Sequence, residues 1–166
     1  MDVAALERRL QKLEDAEAIR ELKSRYFAAC DAKDAAVMRA CFADGKVHID
    51  YGVVGTFDTA DALVQVFKQV GCHDYMVEMH HGANPQIEVL DAQRARGSWS
   101  LHYFLINTRD HTLTQLGGMY ADEYRKTASG WKISSTVFTA TSTLVFNIAD
   151  GSAKALFAGR SAPMPG

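Results

Sequence analysis

"ARGSWSLHYFLINTR", residues 95–109, decides how this chain reads. Its side chains sort by parity, with Trp99, Leu101, Tyr103 and Leu105 on one face and Ser98, Ser100, His102, Phe104 and Ile106 on the other. A period of two sustained over such a run predicts a strand in a sheet. The same period begins near Tyr75 and recurs in "QIEVLD" (86–91), "TLTQLGGMYADEYRKT" (112–127) and "GWKISSTVFTATSTLVFNI" (130–148). Between these runs lie "DAQ" at 91–93, "RDH" at 109–111 and "ASG" at 128–130, residues suited to turns. Four long consecutive strands joined by short turns predict an antiparallel sheet.

Ahead of the sheet the period is helical. Leu6, Leu10 and Leu13 form one apolar stripe, and Ile19, Leu22, Tyr26 and Cys30 continue it, predicting one long opening helix. "DAKD" interrupts it, and Asp34 suits the N-cap of a short helix carrying Val37, Met38, Cys41 and Phe42. "KVHIDYG" and "VVGTF" read as a hairpin or a bent strand pair. A third helix, capped at Asp58 or Thr59, carries Leu63, Val66, Phe67 and Val70 on its apolar face and stops at Gly71. Helices first and a long meander afterwards predict an α+β domain over residues 1–149, one strongly curved sheet wrapped around the helices. Residues 150–166, rich in small residues and proline, read as a tail.

Composition limits the partners. The chain has 166 residues, 48% hydrophobic, with 18 Lys and Arg scattered among 20 Asp and Glu. Without a basic stripe, nucleic acid and anionic membranes are not expected partners. The charged N-terminus and the lack of a spanning apolar run lead to the expectation of a cytoplasmic protein. Three cysteines without a paired spacing read as small buried hydrophobes. No metal is expected: HExxH and paired-cysteine spacings are absent, and adjacent histidines on a strand point apart. GxSxG, phosphate-loop and GxGxxG patterns are absent too.

A curved sheet over helices leaves a cavity for a small apolar ligand, and polar residues on apolar faces are its candidate working groups. Tyr26 shares the stripe of Ile19 and Leu22, so its hydroxyl needs an inward partner. Asp31 lies about 140° round an ideal helix from Tyr26 and joins that face only if the helix unwinds near Cys30. His48 and Asp50 point one way from their short strand and Tyr51 the other. His102 sits among apolar residues on its strand, and either face of the sheet could line the cavity. In "MHHGANP" (79–85), parity counted back from Ile87 and Val89 favours His81 as the inward histidine, provided no bulge intervenes; Gly82 and Pro85 are residues that accompany bulges.

Taken together, "IRELKSRYFAACDAKD", "MHHGANPQIEV", "GSWSLHYFL", "GGMYADEYRK" and "GWKISS" resemble the SnoaL-like branch of the nuclear transport factor 2-like superfamily, over residues 13–143. Within it the pattern is similar to the bile acid 7α-dehydratases and, more distantly, to scytalone dehydratase. The resemblance implies a cone-shaped α+β barrel of cystatin-like type. It places a catalytic tyrosine at Tyr26, an aspartate at Asp31 and a histidine at His80. Further ligand-binding candidates are His81, His102, Tyr103, Tyr51, Trp99 and Phe138. Two positions depart from the bile acid pattern: Tyr103 with His102 stands where an aspartate is expected, and Ala140 where an arginine is expected. The activity implied is a cofactor-independent dehydratase or isomerase acting beside a carbonyl on an apolar cyclic molecule. The same fold also serves as a non-catalytic binder or oxygenase small subunit. A homodimer or homotrimer is the expected assembly.

Overall fold

The computed structural model describes residues 2–149 and 151, so the expected tail at 150–166 lies almost wholly outside the described residues. Helix α1 (Val3–Asp31) is followed by α2 (Ala35–Ala40), the short strand β1 (His48–Asp50), a 3₁₀ turn (Gly52–Val54), β2 (Thr56–Phe57) and α3 (Ala60–Val70). The long strands β3 (Met76–Val89), β4 (Arg94–Asn107), β5 (Thr112–Thr127) and β6 (Gly130–Asn147) complete it. Sheet order is β2-β1-β6-β5-β4-β3, antiparallel throughout except for the parallel β1–β6 pair. The sheet curls around α1 but stays open, because β2 and β3 are edges that do not pair with each other.

Capping follows the expected chemistry. Asp34 accepts from the backbone N–H of Ala36 and Val37 to start α2, and Thr59 accepts from Ala62 to start α3. The long opening helix forms as expected, but Leu6, Leu10 and Leu13 of its stripe are exposed, and α1 buries a face only from Asp15 onward. A 29-residue helix is about 43 Å long, so its first turns extend past the sheet it packs on. The buried portion carries Ile19, Leu22, Tyr26, Phe27 and Cys30 against Leu101, Trp99, Tyr120 and Ile133 from the concave sheet face. At the far end from the cavity, Asp15 accepts from Lys126 Nζ at 2.6 Å and from Trp131 Nε1 at 2.9 Å, tying α1 to the start of β6.

Strand β3 decides where the histidines point. Its pairing with β4 shifts register between Ala83 and Gln86, one extra residue on β3, and Asn84 there takes a left-handed φ of 51°. This bulge reverses parity: Glu78, His80 and Gly82 face inward before it, while Ile87 and Val89 face inward after it. Gly82 is where α1 comes closest; a Cβ there would stand 2.3 Å from the Phe27 ring. No helix among the described residues is long and apolar enough to cross a membrane.

Candidate active site

The curl encloses a cavity of about 590 Å³ between α1, α3, the 3₁₀ turn and the concave sheet face. Most of its wall is apolar: Met38, Leu63, Val66, Phe67, Leu101, Leu116 and Phe138. The polar exceptions are Tyr26, Tyr51, Glu78, His80, Tyr103, Tyr120 and Thr143. Among the described residues, no Lys or Arg lines it.

His80 pairs across the sheet with Tyr103, and directly opposed residues project from the same face. Its ring lies 4.8 Å from the Tyr103 ring and stacks on Phe27 at 5.8 Å. Asp31, the last residue of α1, accepts from His80 Nδ1 at 2.6 Å and from the His80 backbone N–H at 3.1 Å. Two atoms of one residue, the ring Nδ1 and the backbone N–H, thus meet one carboxylate, which fixes both ring and backbone. With Nδ1 engaged by Asp31, Nε2 is the ring nitrogen left over on a histidine that lines the cavity.

Tyr26 and Tyr51 meet hydroxyl to hydroxyl at 2.8 Å. One hydrogen bridges the two oxygens, so the pair retains one to donate elsewhere. Burial pushes both phenols well above the ordinary tyrosine range, and the neutral donor form persists at any working pH. Cys30 also reaches the cavity, but burial pushes its thiol up to about 12, which removes it as a nucleophile. On the opposite flank Tyr103 donates to Glu78 Oε2 at 2.7 Å, and Glu78 Oε1 is paired with Lys33. Lys33 follows α1 with a left-handed φ of 61°.

Below the cavity, Lys23 of α1 is wholly buried with its Nζ 2.7 Å from Asp122 Oδ2 and 3.7 Å from the Tyr120 ring centroid. Asp122 also accepts from the Tyr124 hydroxyl at 2.7 Å, and Tyr124 accepts from Trp99 Nε1 at 2.9 Å. This chain is sealed from the cavity by Tyr120.

Residues 11–137 match the family model of the SnoaL-like domain. The chain belongs to the SnoaL-like domain family. Solved structures of similar fold include a candidate scytalone dehydratase from Novosphingobium aromaticivorans, 18% identical, covering 93% of this chain and 97% of that one with a TM-score of 0.73. The hexachlorocyclohexane dehydrochlorinase LinA-type3 from Novosphingobium barchaimii is 17% identical, over 82% of this chain and 93% of that one, with a TM-score of 0.74. A nuclear transport factor 2-like superfamily protein from Salmonella enterica is 15% identical, over 78% and 92%, with a TM-score of 0.70.

In this SnoaL-like domain His80, Tyr26, Tyr51, Tyr103 and Phe138 all reach the cavity wall. Asp31 does so only through His80. The helix runs intact to Asp31 rather than unwinding at Cys30, and Asp31 meets the His80 ring and backbone N–H. Three ligand-binding candidates are corrected. His81 pairs with His102 on the outer sheet face, where both are exposed, because the bulge sets the parity of β3. Trp99 faces inward but lies deeper than the cavity, held by Tyr124. Glu78 and Lys33 were not singled out from sequence. Glu78 shares the parity of His80 two residues on, a signal that becomes usable once His80 is known to face inward; Lys33 carries none. A second depression, about 620 Å³, lies on the outer face around Glu88, Arg96 and Glu123, and its ion pair between Arg96 and Glu88 is solvated surface.

Proposed function

We propose that this SnoaL-like domain is a cofactor-independent lyase that removes water from an uncharged, apolar cyclic β-hydroxy ketone. The observation that carries the reading is the Asp31–His80 pair, set at 2.6 Å through Nδ1, with His80 lining an apolar cavity that also holds the Tyr26–Tyr51 hydroxyl pair. Proton removal beside a carbonyl needs a base near working pH and a donor for the developing oxyanion. An imidazole, whose ordinary pKa is about 6.5, suits the first task. The tyrosine pair suits the second.

In this mechanism His80 Nε2 takes the proton α to the carbonyl, and the C–H electron pair moves onto the carbonyl oxygen, where the free tyrosine hydrogen meets it. Asp31 stabilises the resulting imidazolium, as a buried carboxylate does beside other catalytic histidines. The enolate then re-forms the carbonyl, a carbon–carbon double bond forms, and the β-hydroxyl leaves with the proton from Nε2 as water. Histidine, aspartate and both tyrosines end as they began. An uncharged substrate is supported by the wall itself, where Ala140 and Leu116 stand and, among the described residues, no cation awaits an anionic group.

The test is a panel of cyclic β-hydroxy ketones assayed for the rise in ultraviolet absorbance of the conjugated enone, with the His80→Ala protein as blank. Turnover by the native chain and none by His80→Ala supports the reading. Turnover of equal rate in both removes His80 from the chemistry, and binding without turnover across the panel leaves a ligand-binding domain instead.

A further inference from the structure

Helix α1 carries an apolar stripe that its own sheet does not cover. Val3, Leu6, Leu10 and Leu13 are 66%, 49%, 54% and 70% exposed. At about 100° per residue, Leu10 and the wholly buried Ile19, nine positions on, point in opposite directions from the helix axis. The stripe therefore runs on into Glu17, Ser24 and Ala28 on the solvent side of α1, away from the concave face that receives Ile19, Leu22 and Tyr26. Single exposed leucines are ordinary, whereas apolar side chains aligned in one row mark a contact surface.

Their spacing selects the shape that fits. Steps of three, four and three are those of alternating a and d positions in a coiled coil, a narrow seam that takes another helix. The flanking charges select which helix. With Val3 and Leu10 at a and Leu6 and Leu13 at d, Arg9 falls at g and Glu14 at the next e, the positions that meet across a parallel, in-register pair. A second copy of α1 thus brings a carboxylate to Arg9 and a guanidinium to Glu14. Antiparallel copies would instead set Arg9 against Arg9 and Glu7 against Glu7. One like-charged approach remains in the parallel pair, Asp2 with the partner's Glu7 at the outermost turn. Asp2 there already accepts from the Ala4 N–H and lies 3.9 Å from Arg8.

We propose that the first two heptads of α1 are a dimerisation seam, on which a second copy of this chain lays its own α1 parallel and in register, with Arg9 of each copy paired to Glu14 of the other. Because the stripe lies opposite the buried face, the two sheets project to either side of the seam. The contact spans about 18 Å of helix, less than a standard interface, so the dimer forms in a concentration-dependent way. This pairing is separate from the chemistry of the cavity.

Sedimentation equilibrium of the full chain from about 5 µM to about 500 µM, a range that covers weak interfaces, should show a reversible dimer. Leu10→Asp should weaken it by about tenfold or more while the melting temperature holds, since α1 buries residues only from Asp15 onward. Arg9→Glu and Glu14→Arg should each weaken the dimer, and the two together should restore it, which a contact made elsewhere on the surface would not do. Leu13→Cys chains should cross-link to one another under mild oxidation, as a parallel register requires, with the native chain as blank. A monomer across the whole range overturns the proposal, as does a dimer that survives Leu10→Asp unweakened. So does a double charge variant that regains nothing, or a dimer in which Leu13→Cys fails to cross-link.

Discussion

Helix α1 gives the sheet two acid–base pairs, and they are built in opposite ways. Lys23 and Asp122 lie 2.7 Å apart with neither side chain exposed, beneath the Tyr120 ring. Asp31 and His80 lie 2.6 Å apart with side chains 26% and 14% exposed, at the edge of an apolar cavity. In the first pair burial lowers the Lys23 pKa and Asp122 works against that shift, so the charges are balanced against each other, with the Tyr124 hydroxyl and the Tyr120 ring as further contacts. In the second pair one nitrogen is held and the other is left over. A pair closed on itself supports structure, whereas a pair with an unused nitrogen facing a cavity supports chemistry.

Variants that break each pair should separate these roles. Asp31→Asn, which keeps the shape but loses the charge that fixes the tautomer, should lower turnover of a β-hydroxy ketone by about 10⁴-fold while the melting temperature moves by only a few degrees. A stability loss with turnover per folded molecule intact would make Asp31 a structural aspartate. Lys23→Met should do the reverse, costing about 3–5 kcal/mol of stability by leaving Asp122 buried with only the Tyr124 hydroxyl. In thermal denaturation that is a fall of about 10 °C or more. Adding Asp122→Asn to Lys23→Met should restore much of it, since a neutral amide still accepts from Tyr124; no recovery would mean that packing and not charge is at stake.

Tyr26→Phe sharpens the contrast within the cavity. It removes the partner of Tyr51 at 2.8 Å, and the expected rise in the barrier is about 2–4 kcal/mol, the range for one oxyanion donor, measured as kcat with KM changed little. The smallest effect belongs to the neighbour of the catalytic histidine. His81→Ala, on the exposed outer face, should change stability by about 0.5 kcal/mol or less and leave kcat/KM within about twofold. A large loss there would place His81 in the reaction and contradict the register of β3.

Much of the fold was legible because local periodicity carries it. The strand runs beginning at 94, 112 and 130 and the turns between them appear where alternation and turn chemistry put them. Asp34 and Thr59 cap the helices that follow them, as their short polar side chains favour. The site was legible in part. Tyr26 faced inward because it shares a helical stripe with Ile19 and Leu22, and the likeness to SnoaL-like sequences pointed to Asp31 and His80. Leu6, Leu10 and Leu13 lie on the expected helix yet stay exposed, because periodicity reveals an apolar face without saying whether anything lies against it.

What the sequence by itself determined was the set of elements and their order, since φ, ψ and side-chain alternation depend on near neighbours in the chain. What only the tertiary structure decided was which residues meet. One extra residue at Asn84 turned His80 inward and His81 outward, and an unbroken α1 brought Asp31 to the His80 ring and backbone. The left-handed turn at Lys33 carried a cation back to Glu78, committing the Tyr103 hydrogen. These contacts join residues tens of positions apart. Their geometry depends on a bulge and a helix end, and a shift of one residue in either would exchange the groups that face the cavity.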